Sequence, residues 1–162
     1  MEKEDLLVVN ELWAKVSPRE RFVAYGVVGV VVGWIAGLIL GTAQVCASYA
    51  GQSVCVGSVN YFNYSNAGLF GILALVLGII VGVVLYLKIA PNTNITWPMP
   101  VAQILLGGAV ATLVCAALMT LIQLTGPTGA PVLMYVADVL MVGGGALMTW
   151  GAYQEWLTSK TA

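Results

Sequence analysis

The most constraining feature of this sequence is a strongly apolar run, GVVGVVVGWIAGLILG, between residues 26 and 41. Its last four glycines are spaced by four residues: Gly29, Gly33, Gly37 and Gly41. Residues with that spacing lie along one side of a helix. In a membrane, a stripe of small residues lets a second helix approach closely, because packing rather than hydrophobicity drives helix association there. The run therefore predicts a membrane helix that packs through its glycines.

The composition agrees with a membrane environment for the whole chain. Sixty per cent of the 162 residues are hydrophobic and only 8% are charged, whereas a soluble domain carries about 25% charged residues. A single domain of this length cannot hide so much apolar surface from water. The net charge is −1, so there is no electrostatic case for a nucleic-acid partner, which would need a basic patch. We expect the lipid bilayer to be the solvent of this chain.

Four apolar stretches have the length of about 20 residues that a helix needs to cross the hydrocarbon core. The predicted spans are 21–45, 67–90, 100–124 and 131–157. The residues Ser17, Pro18 and Glu20 form the pattern of a capping box and predict the start of the first helix. The predicted fold is an all-α integral membrane protein, a single domain over 1–162 in the form of a four-transmembrane-helix bundle.

The N-terminal segment 1–16 has helical periodicity, with Leu6, Val9, Trp13 and Val16 on one face. This pattern predicts a short amphipathic helix at the membrane surface. The alternative is a frayed tail with accidental periodicity, since short isolated helices are marginal.

The basic residues predict the orientation of the spans. All six fall before the first span, at the end of the second or after the fourth: Lys3, Lys15, Arg19, Arg21, Lys88 and Lys160. Basic residues are concentrated in cytoplasmic segments. We therefore expect both termini in the cytoplasm, a plasma or inner membrane location, and an outer loop at 46–66.

The outer loop 46–66 contains Cys46 and Cys55 and has no charged residue. An outward position favours a disulfide between them, and the alternative is two free thiols. A structural role is expected rather than a redox role, because the pair is not a CxxC motif and no charged group nearby lowers a thiol pKa.

Asp138 is the only ionisable residue well inside a predicted span, and intramembrane acids are candidates for function. The sequence predicts that polar side chains at similar depth join it in an outer cluster: Thr120, Gln123 and Gln44. One interpretation is an ion, proton or polar-ligand site. The other is a carboxylic acid that is hydrogen-bonded inside the bundle and only stabilises it.

The sequence has no histidine, no paired acids and no nucleophile–base pair. We therefore expect no enzyme, no metal and no cofactor.

Further glycines predicted to pack between helices are Gly78, Gly82 and Gly144. The spans have more than one small-residue face, which indicates contact with copies of the chain or with other membrane subunits. The predicted function is a structural or accessory subunit of a homo- or hetero-oligomeric complex; the alternative is a small oligomeric channel or transporter that uses Asp138.

Overall fold

A computed structural model describes residues 13–49, 52–60, 62, 65–90, 95–125 and 131–161 of the chain. This part is mostly helical and includes one two-stranded antiparallel sheet. The elements in chain order are α1 (Pro18–Leu40), β1 (Thr42–Tyr49), β2 (Gln52–Asn60), α2 (Ser65–Ile89), α3 (Val101–Leu124) and α4 (Met134–Thr161).

Three helices are long and apolar enough to cross a membrane: Pro18–Leu40, Asn66–Ile89 and Val101–Leu124. This composition is compatible with a multi-pass membrane protein. The fourth helix, α4, is also long, but it carries Asp138 and a charged C-terminal turn and lies outside this set.

The start of α1 confirms the predicted capping box. The Ser17 hydroxyl accepts a hydrogen bond from the backbone N–H of Glu20 at 3.3 Å, and the Glu20 carboxylate accepts one from the backbone N–H of Ser17 at 2.8 Å. Pro18 occupies the first turn, where its missing N–H has no helical partner to lose. Residues 13–15 are helical. The rest of the predicted amphipathic helix lies outside the described residues.

The helices pack with alternating direction. On α1 and α4, Gly26 lies against Met148 while Gly33 lies against Met141, so residue numbers rise along one helix as they fall along the other. The same reversal relates α2 to α3 through the pairs Gly71–Met119 and Gly108–Val81, and α3 to α4 through the pairs Gly145–Leu113 and Gln123–Asp138. Neighbouring helices in the described part of the chain are therefore antiparallel.

The interior of this bundle is filled by side chains. Its largest fully buried members include four methionines: Met119, Met134, Met141 and Met148. Methionine is flexible and fills irregular gaps between closely spaced backbones. The buried Thr112 hydroxyl donates to the carbonyl of Gly108 at 2.8 Å, so its polar group is satisfied within its own helix.

The two ends of the bundle differ in charge. At one end lie the start of α1, the end of α2 and the end of α4, which carry the described basic residues: Lys15, Arg19, Arg21, Lys88 and Lys160. We call this the charged end. The opposite end carries the two strands, and we call it the hairpin end.

The hairpin end corrects one sequence prediction. The first span was expected to continue to residue 45 and to be followed by a loop, 46–66, but α1 ends at Leu40, and residues 42–49 and 52–60 form two paired antiparallel strands. The Asn60 side chain donates to the carbonyl of Leu38 at 2.8 Å, which satisfies a carbonyl that the helix end leaves unpaired. The apolar residues after Gly41 continue the hydropathy of the span, although their β-branched and small side chains suit a strand.

Candidate functional site

The buried acid Asp138 lies in the first turns of α4 and faces α3. The residue is only 2% exposed. When the Gln123 amide is oriented to satisfy it, the amide nitrogen donates to both carboxylate oxygens of Asp138, at 2.9 and 2.8 Å. Amide orientation is assigned from such hydrogen-bond networks. The acid therefore has a partner inside the bundle, as buried polar groups require.

A groove of about 450 Å³ opens beside this pair on the face formed by α3 and α4. Its lining residues are Thr120, Leu124, Tyr135, Asp138, Val139, Val142 and Gly143. The Thr120 hydroxyl donates to the carbonyl of Ala116 at 3.1 Å, so its hydrogen is used within its own helix. The groove is thus mostly apolar, and its lining includes one carboxylate, that of Asp138.

The structure brings together three of the four residues predicted for the polar cluster. Asp138, Gln123 and Thr120 are neighbours on α3 and α4. Gln44 instead lies on β1 opposite Ser58, with an exposed side chain. Gln44 is separated from the cluster because α1 ends at Leu40, so that Gln44 belongs to a strand and not to the helix.

Phe62 is a site residue that sequence reasoning did not identify. It is fully buried, and its ring fills the space beside Gly37 on α1 and Gly71 on α2. Phe62 thus joins the hairpin end to α1 and α2. Only its aromatic character was visible in the sequence, and aromatic residues are common at membrane interfaces.

A second polar cluster lies at the charged end and was also missed. The Lys88 ammonium on α2 lies 2.7 Å from a carboxylate oxygen of Glu20 on α1 and 2.6 Å from one of Glu155 on α4. The Glu20 side chain is only 8% exposed, whereas that of Lys88 is 29% exposed. This acid–base–acid cluster therefore connects three helices. Glu20 also belongs to the capping box at the start of α1. One side chain therefore both caps α1 and pairs with Lys88 on α2.

A disulfide joins Cys46 on β1 to Cys55 on β2, which confirms the prediction for this pair. The two residues face each other across the hairpin, next to an irregularity in the strand register. The remaining cysteine, Cys115, is free and partly buried in α3.

The glycines of the described helices fall into two groups. All seven that were predicted for helix packing have an atom from outside their own helix within 3.4 Å of where a Cβ would lie: Gly29, Gly33, Gly37, Gly41, Gly78, Gly82 and Gly144. Two others, Gly107 on α3 and Gly143 on α4, have nothing within 4 Å of that position. We call Gly107 and Gly143 the outward-facing glycines.

Within the described ranges, no group of three or more Cys, Asp or Glu side chains is arranged to hold a metal ion. Comparison of the chain with protein-family models, with curated proteins and with solved structures found no match.

Proposed function

We propose that the protein is a four-span membrane subunit that assembles with copies of itself or with other membrane proteins and has a structural or accessory role. The single observation that carries this proposal is the open space beside the two outward-facing glycines, Gly107 and Gly143. The proposed topology places the charged end in the cytoplasm and the disulfide hairpin outside the cell.

The fourth span is supported by the length and packing of α4. Its 28 residues extend about 42 Å at 1.5 Å per residue, more than the hydrocarbon core of about 30 Å. It lies antiparallel to α1 through most of that length, and its one acid in the apolar part is paired with Gln123. The orientation is supported by the five described basic residues at one end and the preference of such residues for the cytoplasm.

The outward-facing glycines favour assembly. A glycine in a helix interior lowers the helix propensity of that segment, and close packing against another helix would offset this cost. Glycine allows two helix backbones to approach each other in lipid. Gly33 and Gly144 have that use inside the bundle. Gly107 and Gly143 have no such neighbour in the described chain, so a helix of another protein or copy is the natural occupant of that space.

The packed interior argues against a conducting path through one bundle. The described helices bury four methionines between them, and the buried Thr112 hydroxyl is bonded within its own helix. A second function, a channel or transporter, is favoured by the groove on α3 and α4 that both Asp138 and Gly143 line. A path of that kind would run between copies rather than through one of them.

The assembly proposal is tested by the particle mass after purification in native-lipid nanodiscs. The variants Gly107→Leu and Gly143→Leu should lower the mass to that of a single chain, or remove a co-purifying subunit. The matched control is Val76→Phe on the exposed face of α2, which adds the same number of carbon atoms where no assembly is expected.

Two outcomes would contradict the assembly proposal: a wild-type particle with the mass of one chain, or glycine variants that keep the wild-type mass. The channel is tested separately with Asp138→Asn in liposomes. Ion flux that is present in the wild type and lost in this variant, at unchanged particle mass, would favour transport over the accessory role.

A further inference from the structure

An apolar groove of about 370 Å³ opens between α1 and α2 beside the charged end. Its lining residues are Trp13, Val16, Ala24, Val27, Gly82, Leu85, Tyr86 and Ile89. On α2 it extends from Ile89 to Gly82, which is about 10 Å at 1.5 Å per residue. Its volume is within the range of about 300–1,000 Å³ that is common for ligand sites.

Beside this groove lies a cation, Arg21, that has no acidic partner among the described residues. The Arg21 guanidinium lies 5.7 Å from the centroid of the Trp13 ring, which is one wall of the groove. Its Nε is buried and has no hydrogen-bond partner. Among the described residues, both ion pairs involve Lys88, so no carboxylate of this part of the chain neutralises Arg21.

The neighbouring Arg19 differs in its surroundings. Its guanidinium donates to the hydroxyl of Thr158 on α4, away from the groove. The described acids at this end, Glu20 and Glu155, are both bound to Lys88. Among the described residues, Arg21 is therefore a cation beside the groove mouth that neither of these acids neutralises.

We propose that this groove binds one anionic phospholipid, with an acyl chain along α1 and α2 and the phosphate on Arg21. Guanidinium groups bind phosphate oxygens with paired hydrogen bonds, and the only hydrogen bond of the Arg21 guanidinium among the described residues is a long, exposed one to the carbonyl of Trp13, at 3.5 Å. A groove that opens towards lipid and is lined by apolar side chains matches an acyl chain. Trp13 at its mouth is the residue type that prefers the headgroup level. This inference needs the membrane location but not the proposed assembly.

The test measures lipid retention by native mass spectrometry, with phosphatidylglycerol and phosphatidylcholine of identical acyl chains added in equal amounts. The wild type should retain phosphatidylglycerol in preference to phosphatidylcholine. Arg21→Gln should reduce that preference about fivefold, the effect of one basic residue at an anionic membrane surface. Arg21→Lys should keep most of it, and the matched control Arg19→Gln should keep the wild-type preference.

A second measurement uses the wild type alone and does not depend on how the variants fold. Phosphatidylglycerol with a photoreactive group on its acyl chain should crosslink to the groove segments 24–27 and 82–89. Crosslinks confined to α3, equal retention of both lipids, or an equal loss of preference in Arg19→Gln and Arg21→Gln would overturn the proposal. None of these readouts involves Gly107 or Gly143, so their failure is distinguishable from failure of assembly.

Discussion

The ring of Phe62 lies so close to Gly37 that a Cβ at position 37 would be 2.4 Å from the ring carbons Cδ2 and Cε2. A contact below 3.0 Å cannot be accommodated unless the backbone or the ring moves. The same ring faces Gly71 on α2, so the first two helices are held at a distance set by one aromatic side chain. The glycines of α1 therefore contact two kinds of partner: α4 near the charged end, and Phe62 near the hairpin end.

Replacing Phe62 by alanine should destabilise the bundle by about 3–5 kcal/mol, because the change removes a fully buried ring and leaves a cavity. The free energy of unfolding is measured by titration with a denaturing detergent, followed by circular dichroism. The control is Phe22→Ala on the exposed face of α1, for which we expect a change within about 0.5 kcal/mol. Equal effects of the two substitutions would show that Phe62 does not hold the helices together.

Replacing Lys88 by methionine should destabilise the chain by about 2 kcal/mol, between the values for exposed and for fully buried ion pairs. The substitution keeps the side-chain length but leaves the carboxylates of Glu20 and Glu155 close together without a cation. The measurement is again the free energy of unfolding. A second substitution, Glu155→Gln, should recover part of the loss, because one of the two unpaired charges is then removed.

The matched control for Lys88 is Lys160→Met at the end of α4. Lys160 lies 3.9 Å from the centroid of the Trp156 ring, an exposed cation–π contact with an expected contribution of about 0.5–1 kcal/mol. A loss at Lys160 as large as that at Lys88 would mean that the acid–base–acid cluster has no special role in joining the helices.

The paired substitution Cys46→Ala, Cys55→Ala should loosen the hairpin while leaving the helices formed. The disulfide closes a loop with a sequence separation of 9 residues, for which the chain-entropy model gives a contribution of about 2–3 kcal/mol. We expect helical circular dichroism to be retained and proteolysis between β1 and β2 to accelerate. The control is Cys115→Ala on α3, which removes a free thiol and should not change the cleavage rate.

The sequence was sufficient to predict the helices and the start of α1, because hydropathy over about 20 residues and a capping box are local signals. It was not sufficient for the end of α1, since the apolar residues from Thr42 to Val45 continue the same hydropathy after the backbone has changed to a strand. The disulfide was predictable from the spacing of two cysteines in one segment. The hairpin that carries it was not predicted.

The charged-end cluster was not predictable for a different reason. Lys88 and Glu155 are 67 residues apart in the chain, and no periodicity within either helix says that they meet. The same holds for Phe62 and Gly37. Glycine spacing indicates that one face of α1 is small, but it does not show whether a methionine or a phenylalanine fills the space.

Replacing Gln123 by leucine should destabilise the chain by about 1–3 kcal/mol, because the buried carboxylate of Asp138 then loses its donor. The substitution Asp138→Asn should cost less, since two amides can donate and accept in the same positions. The measurement is the free energy of unfolding of both variants. The control is Gln103→Leu, an exposed glutamine on the same helix, and a loss there as large as at Gln123 would remove the case for the pair.

The proposed fourth span predicts opposite results for reporters fused at two positions of the same chain. A reporter after Leu124 follows three spans and should lie outside the cell, so that alkaline phosphatase is active and green fluorescent protein is dark. A reporter after Ala162 follows α4 and should lie in the cytoplasm, with the two activities exchanged. The basic residues of the charged end set this orientation, and α4 returns the chain to their side. If both fusion positions report the same compartment, α4 does not cross the membrane. If both fusions behave in the opposite sense, the helices cross but the assignment of the charged end to the cytoplasm is wrong.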